Sequence, residues 1–180
     1  MTAESVRAHI AGGTLTEDIR FVPAHRGDVF FIPGGRVHAI GAGVTVAEIQ
    51  QSSDVTYRLY DYGRLSEGKP RDLHIEQALE VLDYSDAGGV GRPGPWQDYD
   101  GGQRRVLVDC AYFLTAQIRH RSGALPVLGP WQGLLVTAGE AWISAGGESI
   151  HLQTAQTAYL PGQAEACGDF EALLFTAKGE

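Results

Sequence analysis

The residues best suited to chemistry gather in the first third of the chain. Gly27-Asp28-Val29-Phe30-Phe31-Ile32-Pro33-Gly34-Gly35-Arg36-Val37-His38 places a glycine, a proline, a second glycine and a histidine at fixed intervals, and the polar run Glu48-Ile49-Gln50-Gln51-Ser52-Ser53-Asp54 and then Arg58 follow. A histidine just after a tight turn sits on stiff backbone, and its neutral ring is the commonest protein ligand for a transition metal. In a strand, Asp54, Thr56 and Arg58 share one face while Val55, Tyr57 and Leu59 share the other, which makes one side polar and convergent and the other side packing.

The elements that must position these groups read mostly as β. Val29 to Ile32 is an apolar run of strand length ended by Pro33-Gly34-Gly35, because proline has no N–H for a ladder and glycine accepts the positive φ of a turn. Val44 to Gln51 and Asp54 to Tyr62 read as two further strands, with Gly41-Ala42-Gly43 turning between the first and second. Before them, Val6, Ile10, Leu15 and Ile19 interrupted by Gly12-Gly13 predict one or two short helices over 3–20. After them, Pro70 ends the strands, and Asp72 is the expected N-cap of a helix with Ile75, Ala78, Leu79 and Leu82 on its apolar side. Ser85 to Gln103 reads as a surface linker pinned by Trp96 and Tyr99.

The remainder predicts a smaller all-β unit. Short apolar segments from Val106 to Phe175 alternate with turn residues such as Ala138-Gly139-Glu140 and Ala145-Gly146-Gly147, the spacing of a barrel or sandwich. Tyr159-Leu160-Pro161-Gly162 echoes Phe31-Ile32-Pro33-Gly34, yet the position equivalent to His38 is Ala166, so a second metal site is not expected there. His25 and His74 do not read as ligands, His120 and His151 read as surface or hydrogen-bonded residues, and Lys69 and Arg71 as solvated or helix-approach charges.

Composition narrows the function classes. With 24 glycines and 8 prolines in 180 residues, 43% of them hydrophobic, the chain suits many short strands around a real core. A net charge of −8 without clustered Lys and Arg argues against nucleic acid or an anionic membrane as partner. The first residues match neither a signal peptide nor a membrane helix, so the cytoplasm is the expected location. Cys110 and Cys167 imply no disulfide framework and read as small buried hydrophobes.

The Gly27–His38 spacing matches the second sequence motif of the cupins, a family of jelly-roll barrels. The longer run through Glu48 to Asp54 and Tyr57-Arg58-Leu59-Tyr60-Asp61-Tyr62, continued by Gly68-Lys69-Pro70-Arg71-Asp72-Leu73-His74, resembles the bacterial type I mannose-6-phosphate isomerases. The resemblance covers 15–84, and 105–180 is similar to the family's C-terminal region. It implies an all-β architecture of cupin jelly-roll barrels: a helical lead-in over 1–20, the second half of a catalytic barrel plus a helix over 21–84, a linker over 85–103 and a degenerate barrel over 104–180.

The same resemblance implies a zinc-dependent aldose–ketose isomerase interconverting mannose 6-phosphate and fructose 6-phosphate. In the family pattern His38 matches a zinc ligand, Arg58 an arginine near the reacting oxygens, Asp54 and Glu48 pocket carboxylates of which either could be the acid or base, and Arg64 a basic residue that meets the phosphate. The family's other zinc ligands, a glutamine, a histidine and a glutamate, come from a first cupin motif that these 180 residues do not contain. The sequence therefore leaves three readings open: a fragment of a longer isomerase, a split subunit completed by an N-terminal partner chain, or a non-catalytic cupin that binds a sugar or a protein. Incomplete barrel strands would leave edges open to such a partner or to self-association.

Overall fold

The computed structural model describes residues 1–85 and 89–179, so 86–88 of the expected linker lie outside the described residues. The chain divides into two units, one of Met1–Val46 with Ser52–Val90 and the other of Ala47–Gln51 with Gly91–Glu180.

In the first unit, α1 (Ala3–Gly12) starts at a capping box between Thr2 and Ser5 and ends at Gly13, whose φ of 69° is the left-handed cap that glycine adopts without strain. A 3₁₀ turn, Leu15–Glu17, follows. Leu65–Ser66 (β1) and Lys69–Pro70 (β2) form a small hairpin that the sequence reading missed. Ile75–Val81 (α2) is the expected helix, capped at His74 rather than at Asp72. The start is late because His74 donates its backbone N–H to the Arg58 carbonyl at 2.8 Å, holding 72–74 outside the helix. Val6, Leu15, Leu59, Ala78 and Leu79 make the small core of this unit. Arg7 bridges α1 to Glu76 of α2 at 2.6 Å.

The three strands expected over 29–62 do not form. The Pro33-Gly34-Gly35 turn is present, closed by Arg36 N–H to the Pro33 carbonyl at 3.3 Å, with Gly35 at φ 84°. On either side the backbone pairs with no continuous neighbour strand among the described residues, and Phe30, Ile32, Val44, Val46, Val55 and Tyr57 stay exposed. A strand-like sequence supplies propensity and an apolar face, but a strand exists only through the ladder of a neighbour.

The second unit is an antiparallel β structure built from Gln97–Tyr99 (β3), Gly102–Asp109 (β4), Phe113–Ala124 (β5), Gln132–Ala145 (β6), Glu148–Gln153 (β7), Thr157–Leu160 (β8) and Glu165–Ala177 (β9). The spatial order is β3-β4-β5-β9-β6-β7, with β8 on the free edge of the first half of β6. The last strand is thus the central one, paired to β5 on one side and β6 on the other. Ala116, Ile118, Leu134, Val136, Ala141, Ile143, Ala172 and Leu174 are buried at alternate positions and fill the interior.

Three expectations for this unit change. Gln97–Tyr99, expected within the 85–103 linker, is a strand paired to β4. Ala138-Gly139-Glu140 is not a turn but a bulge inside the continuous β6, where the register to β9 shifts between Val136 and Ala138. Cys110 is half-buried and Cys167 exposed, because Cys167 takes the outward position next to the buried Ala166. No helix among the described residues is long and apolar enough to cross a membrane.

Candidate functional site

His38 lies three residues past the Pro33-Gly34-Gly35 turn and is exposed. Its Nδ1 is 3.0 Å from the Arg36 carbonyl oxygen. A carbonyl only accepts, so Nδ1 carries the proton and the lone pair is left on Nε2. This is the tautomer and the backbone support that a metal-binding imidazole uses. The other donors of a site are not gathered around it: among the described residues no group of three or more His, Cys, Asp or Glu could hold a metal ion. Zinc needs three or four protein ligands, so the described residues do not by themselves fit a zinc centre.

Arg58 is half-buried and held at three points. Its backbone N–H donates to His74 Nδ1 at 3.3 Å, its carbonyl accepts from the His74 N–H, and its guanidinium donates to the Asp72 carbonyl at 3.1 Å. Asp54 is exposed and pairs with no cation among the described residues, so the structure does not join it to Arg58. Glu48 is exposed and belongs to the second unit, whereas His38, Asp54, Arg58 and Arg64 belong to the first.

Arg64 is drawn into a cluster that the sequence reading passed over. Its Nη2 lies 3.1 Å from Asp61 Oδ1, its Nε donates to the Asp61 carbonyl at 3.4 Å, and its guanidinium sits 5.4 Å from the Tyr62 ring centre. Arg71, expected to be a solvated or helix-approach charge, grips both carboxylate oxygens of Asp61, with Nε 2.7 Å from Oδ2. Asp61 itself is only 7% exposed. The Arg71 hydrogen bond holds its carboxyl below the ordinary value against the opposing cost of burial, and the nearby charges of Arg71, Arg64 and Arg58 act in the same direction.

Two guanidiniums, those of Arg71 and Arg64, therefore grip one carboxylate, while that of Arg58 is held on the Asp72 carbonyl. Asp61 and His74 are the residues that sequence reasoning missed. The available signal was an acid flanked by Tyr60 and Tyr62 within a segment that carries Arg58, Arg64 and Arg71.

In the second unit, His120 is buried and donates from Nε2 to the Ala166 carbonyl at 3.0 Å, so its Nδ1 accepts the Tyr99 hydroxyl at 2.6 Å. His151 stacks on Trp142 and meets Glu140 at 2.9 Å. Trp96 lies under Arg105 and Arg119, 4.6 and 4.5 Å from its ring centre. An open hollow of about 740 Å³ lined by Asp100, Gln103, Arg119, His120, Asp169 and Glu171 contains none of the candidate site residues His38, Glu48, Asp54, Arg58 and Arg64.

No family model matches the chain. A mannose-6-phosphate isomerase of Streptococcus mutans is 35% identical over 165 residues, which cover 88% of this chain and 50% of that protein. A mannose-6-phosphate isomerase of Bacillus subtilis is 39% identical over 113 residues, 62% of this chain and 36% of that protein. The chain thus spans about half or less of the length of the curated relatives it matches. Among solved structures, the mannose 6-phosphate isomerase of Bacillus subtilis superposes with a TM-score of 0.60 at 22% identity, covering 69% of this chain and 41% of that one, which is a likeness of fold.

Proposed function

Starting from its kinship with the C-terminal portion of cupin-type mannose-6-phosphate isomerases, we propose that this chain is the part of such an aldose–ketose isomerase that supplies Arg58, Arg64 and one metal-binding imidazole to a site completed elsewhere. The observation that carries the reading is the similarity to the Streptococcus mutans enzyme over 88% of the chain and only half of that relative. The ligand-ready tautomer of His38, with no further ligands gathered around it among the described residues, supports the same division of labour.

In this reading the substrate is mannose 6-phosphate, and residues 21–84 are the second half of the catalytic barrel. Moving a proton between adjacent carbons puts negative charge on the sugar oxygens, and a guanidinium fixed by its own backbone, as Arg58 is, stabilises that charge without reorganising. Arg64 meets the phosphate. Asp54 and Glu48 are the acid–base candidates. Zinc belongs to this reading with His38 as one ligand, the rest coming from a segment of a longer polypeptide or from a partner chain, and the working compartment is the cytoplasm.

The test is complementation. The chain is co-expressed with the part of the Streptococcus mutans relative that it does not match, and isomerisation of mannose 6-phosphate is followed. Turnover from the pair and none from either part supports the reading. Turnover from this chain alone, or an inactive pair that co-purifies, overturns it, the second outcome in favour of a non-catalytic binding module.

A further inference from the structure

Asp61 is a heavily engaged carboxylate of the first unit. It takes two contacts from Arg71 and one from Arg64, and the following residue, Tyr62, has a φ of 56°. A bulky residue in the left-handed region is strained, and such strain persists only where the surroundings over-determine it. Here the Tyr60 ring meets Tyr62 edge-on at 4.9 Å and the Arg64 guanidinium covers it. The backbone at 61–62 is thus bent to deliver a buried acid between cations.

The consequence reaches Arg58. Arg71 is followed directly by Asp72, whose carbonyl receives the Arg58 guanidinium, and by His74, which grips the Arg58 backbone at both N–H and C=O. Fixing Arg71 therefore fixes the segment on which Arg58 rests. We propose that Asp61 is a positioning residue, which clamps Arg71 so that 72–74 aim the Arg58 guanidinium and at the same time holds Arg64, so that two cations face one anionic, phosphorylated substrate in a set geometry.

The inference rests on the isomerase reading for the roles of Arg58 and Arg64, and its test separates the two. One arm uses the full chain alone. By nitrogen-15 NMR, Asp61→Asn speeds exchange at the Arg71 Nε–H and at the Arg58 backbone amide by about tenfold or more, as expected when a clamped segment opens locally. The Arg7 Nε–H, which donates to Glu76 at 3.2 Å in the same unit, stays as it was and serves as the control for folding.

The second arm uses the complemented enzyme. Asp61→Asn raises KM for mannose 6-phosphate about tenfold and lowers kcat/KM about 100-fold, the size of a misplaced catalytic group, and Asp61→Glu recovers part of both. Arg71→Lys keeps the charge, loses the two-point grip and reproduces the effect in part. An unchanged Arg58 amide together with unchanged kinetics overturns the proposal. So does a fall in kcat at constant KM, which is a mere loss of folded enzyme, and so does disappearance of the Arg7 signal in both Asp61→Asn and Arg71→Lys, which makes Asp61 a folding residue only. A wild-type pair that co-purifies without activity is a failure of the isomerase reading and shows before any variant is made, leaving the exchange arm to decide whether Asp61 aims Arg58.

Discussion

Arg58 concentrates the residue-scale argument, because its backbone is pinned by His74 and its side chain rests on one carbonyl. Truncating it to Ala removes a preorganised charge from the proposed reaction and little packing. In the complemented enzyme Arg58→Ala lowers kcat by roughly 10²–10³, while the thermal midpoint of the chain alone moves little. A loss of activity below tenfold takes Arg58 out of the mechanism. His38, Arg58 and Arg64 could be picked out as candidates from the sequence because their spacing survives without context. Asp61 and Arg71 were not, since a buried ion pair ten residues apart depends on a hairpin that the Leu65 to Pro70 stretch does not advertise.

In the second unit the Tyr99 hydroxyl is pushed up to about 12 by burial. A raised value means that the folded state holds this proton more tightly than the unfolded chain. The stabilisation is therefore complete below pH 10 and drains away as pH rises from about 10 to about 12. Denaturant melts of the second unit at pH 8 and pH 11 should differ accordingly. Tyr99→Phe leaves the buried His120 Nδ1 without a donor at a cost of about 1–3 kcal/mol at neutral pH, and flattens the alkaline loss.

Elements were easiest to read where the chain supplies its own neighbours. The alternation of β9 and the apolar segments of β4 to β8 lie within one sheet, so period and partner agree. Between 29 and 62 the same kind of sequence finds no ladder, and propensity without a partner yields extended chain. The Ala138-Gly139-Glu140 stretch misleads in the other direction, because a bulge and a turn share the same glycine signal. A Cβ on Gly139 would lie 2.2 Å from the Asp169 carbonyl oxygen of β9, whereas Gly146 at the β6–β7 turn has open space around it, and both have positive φ. Gly139→Ala therefore destabilises the chain by more than Gly146→Ala, by about 1–3 kcal/mol beyond the shared backbone strain, measured by chemical denaturation. Equal costs would mean that the strands part freely at the bulge.

At the scale of the molecule, the two units differ in what they can finish alone. The second closes a filled apolar interior from its own strands, while the first has a small core beside exposed apolar chain. The same difference governs the metal. After dialysis the chain alone should retain well under one zinc per molecule and the complemented pair about one, read by atomic emission; a full equivalent on the chain alone would mean that three donors do assemble around His38.

The central place of β9 also sets a clock on biosynthesis. A ribosome delivers β5 and β6 before the strand that must slide between them, so the nascent chain carries both flanking edges open until β9 has emerged. A chain cut before Glu165 leaves no smaller closed structure behind, only β3-β4-β5 and β7-β6-β8 with the seam between them missing, a species for chaperones and proteases to clear.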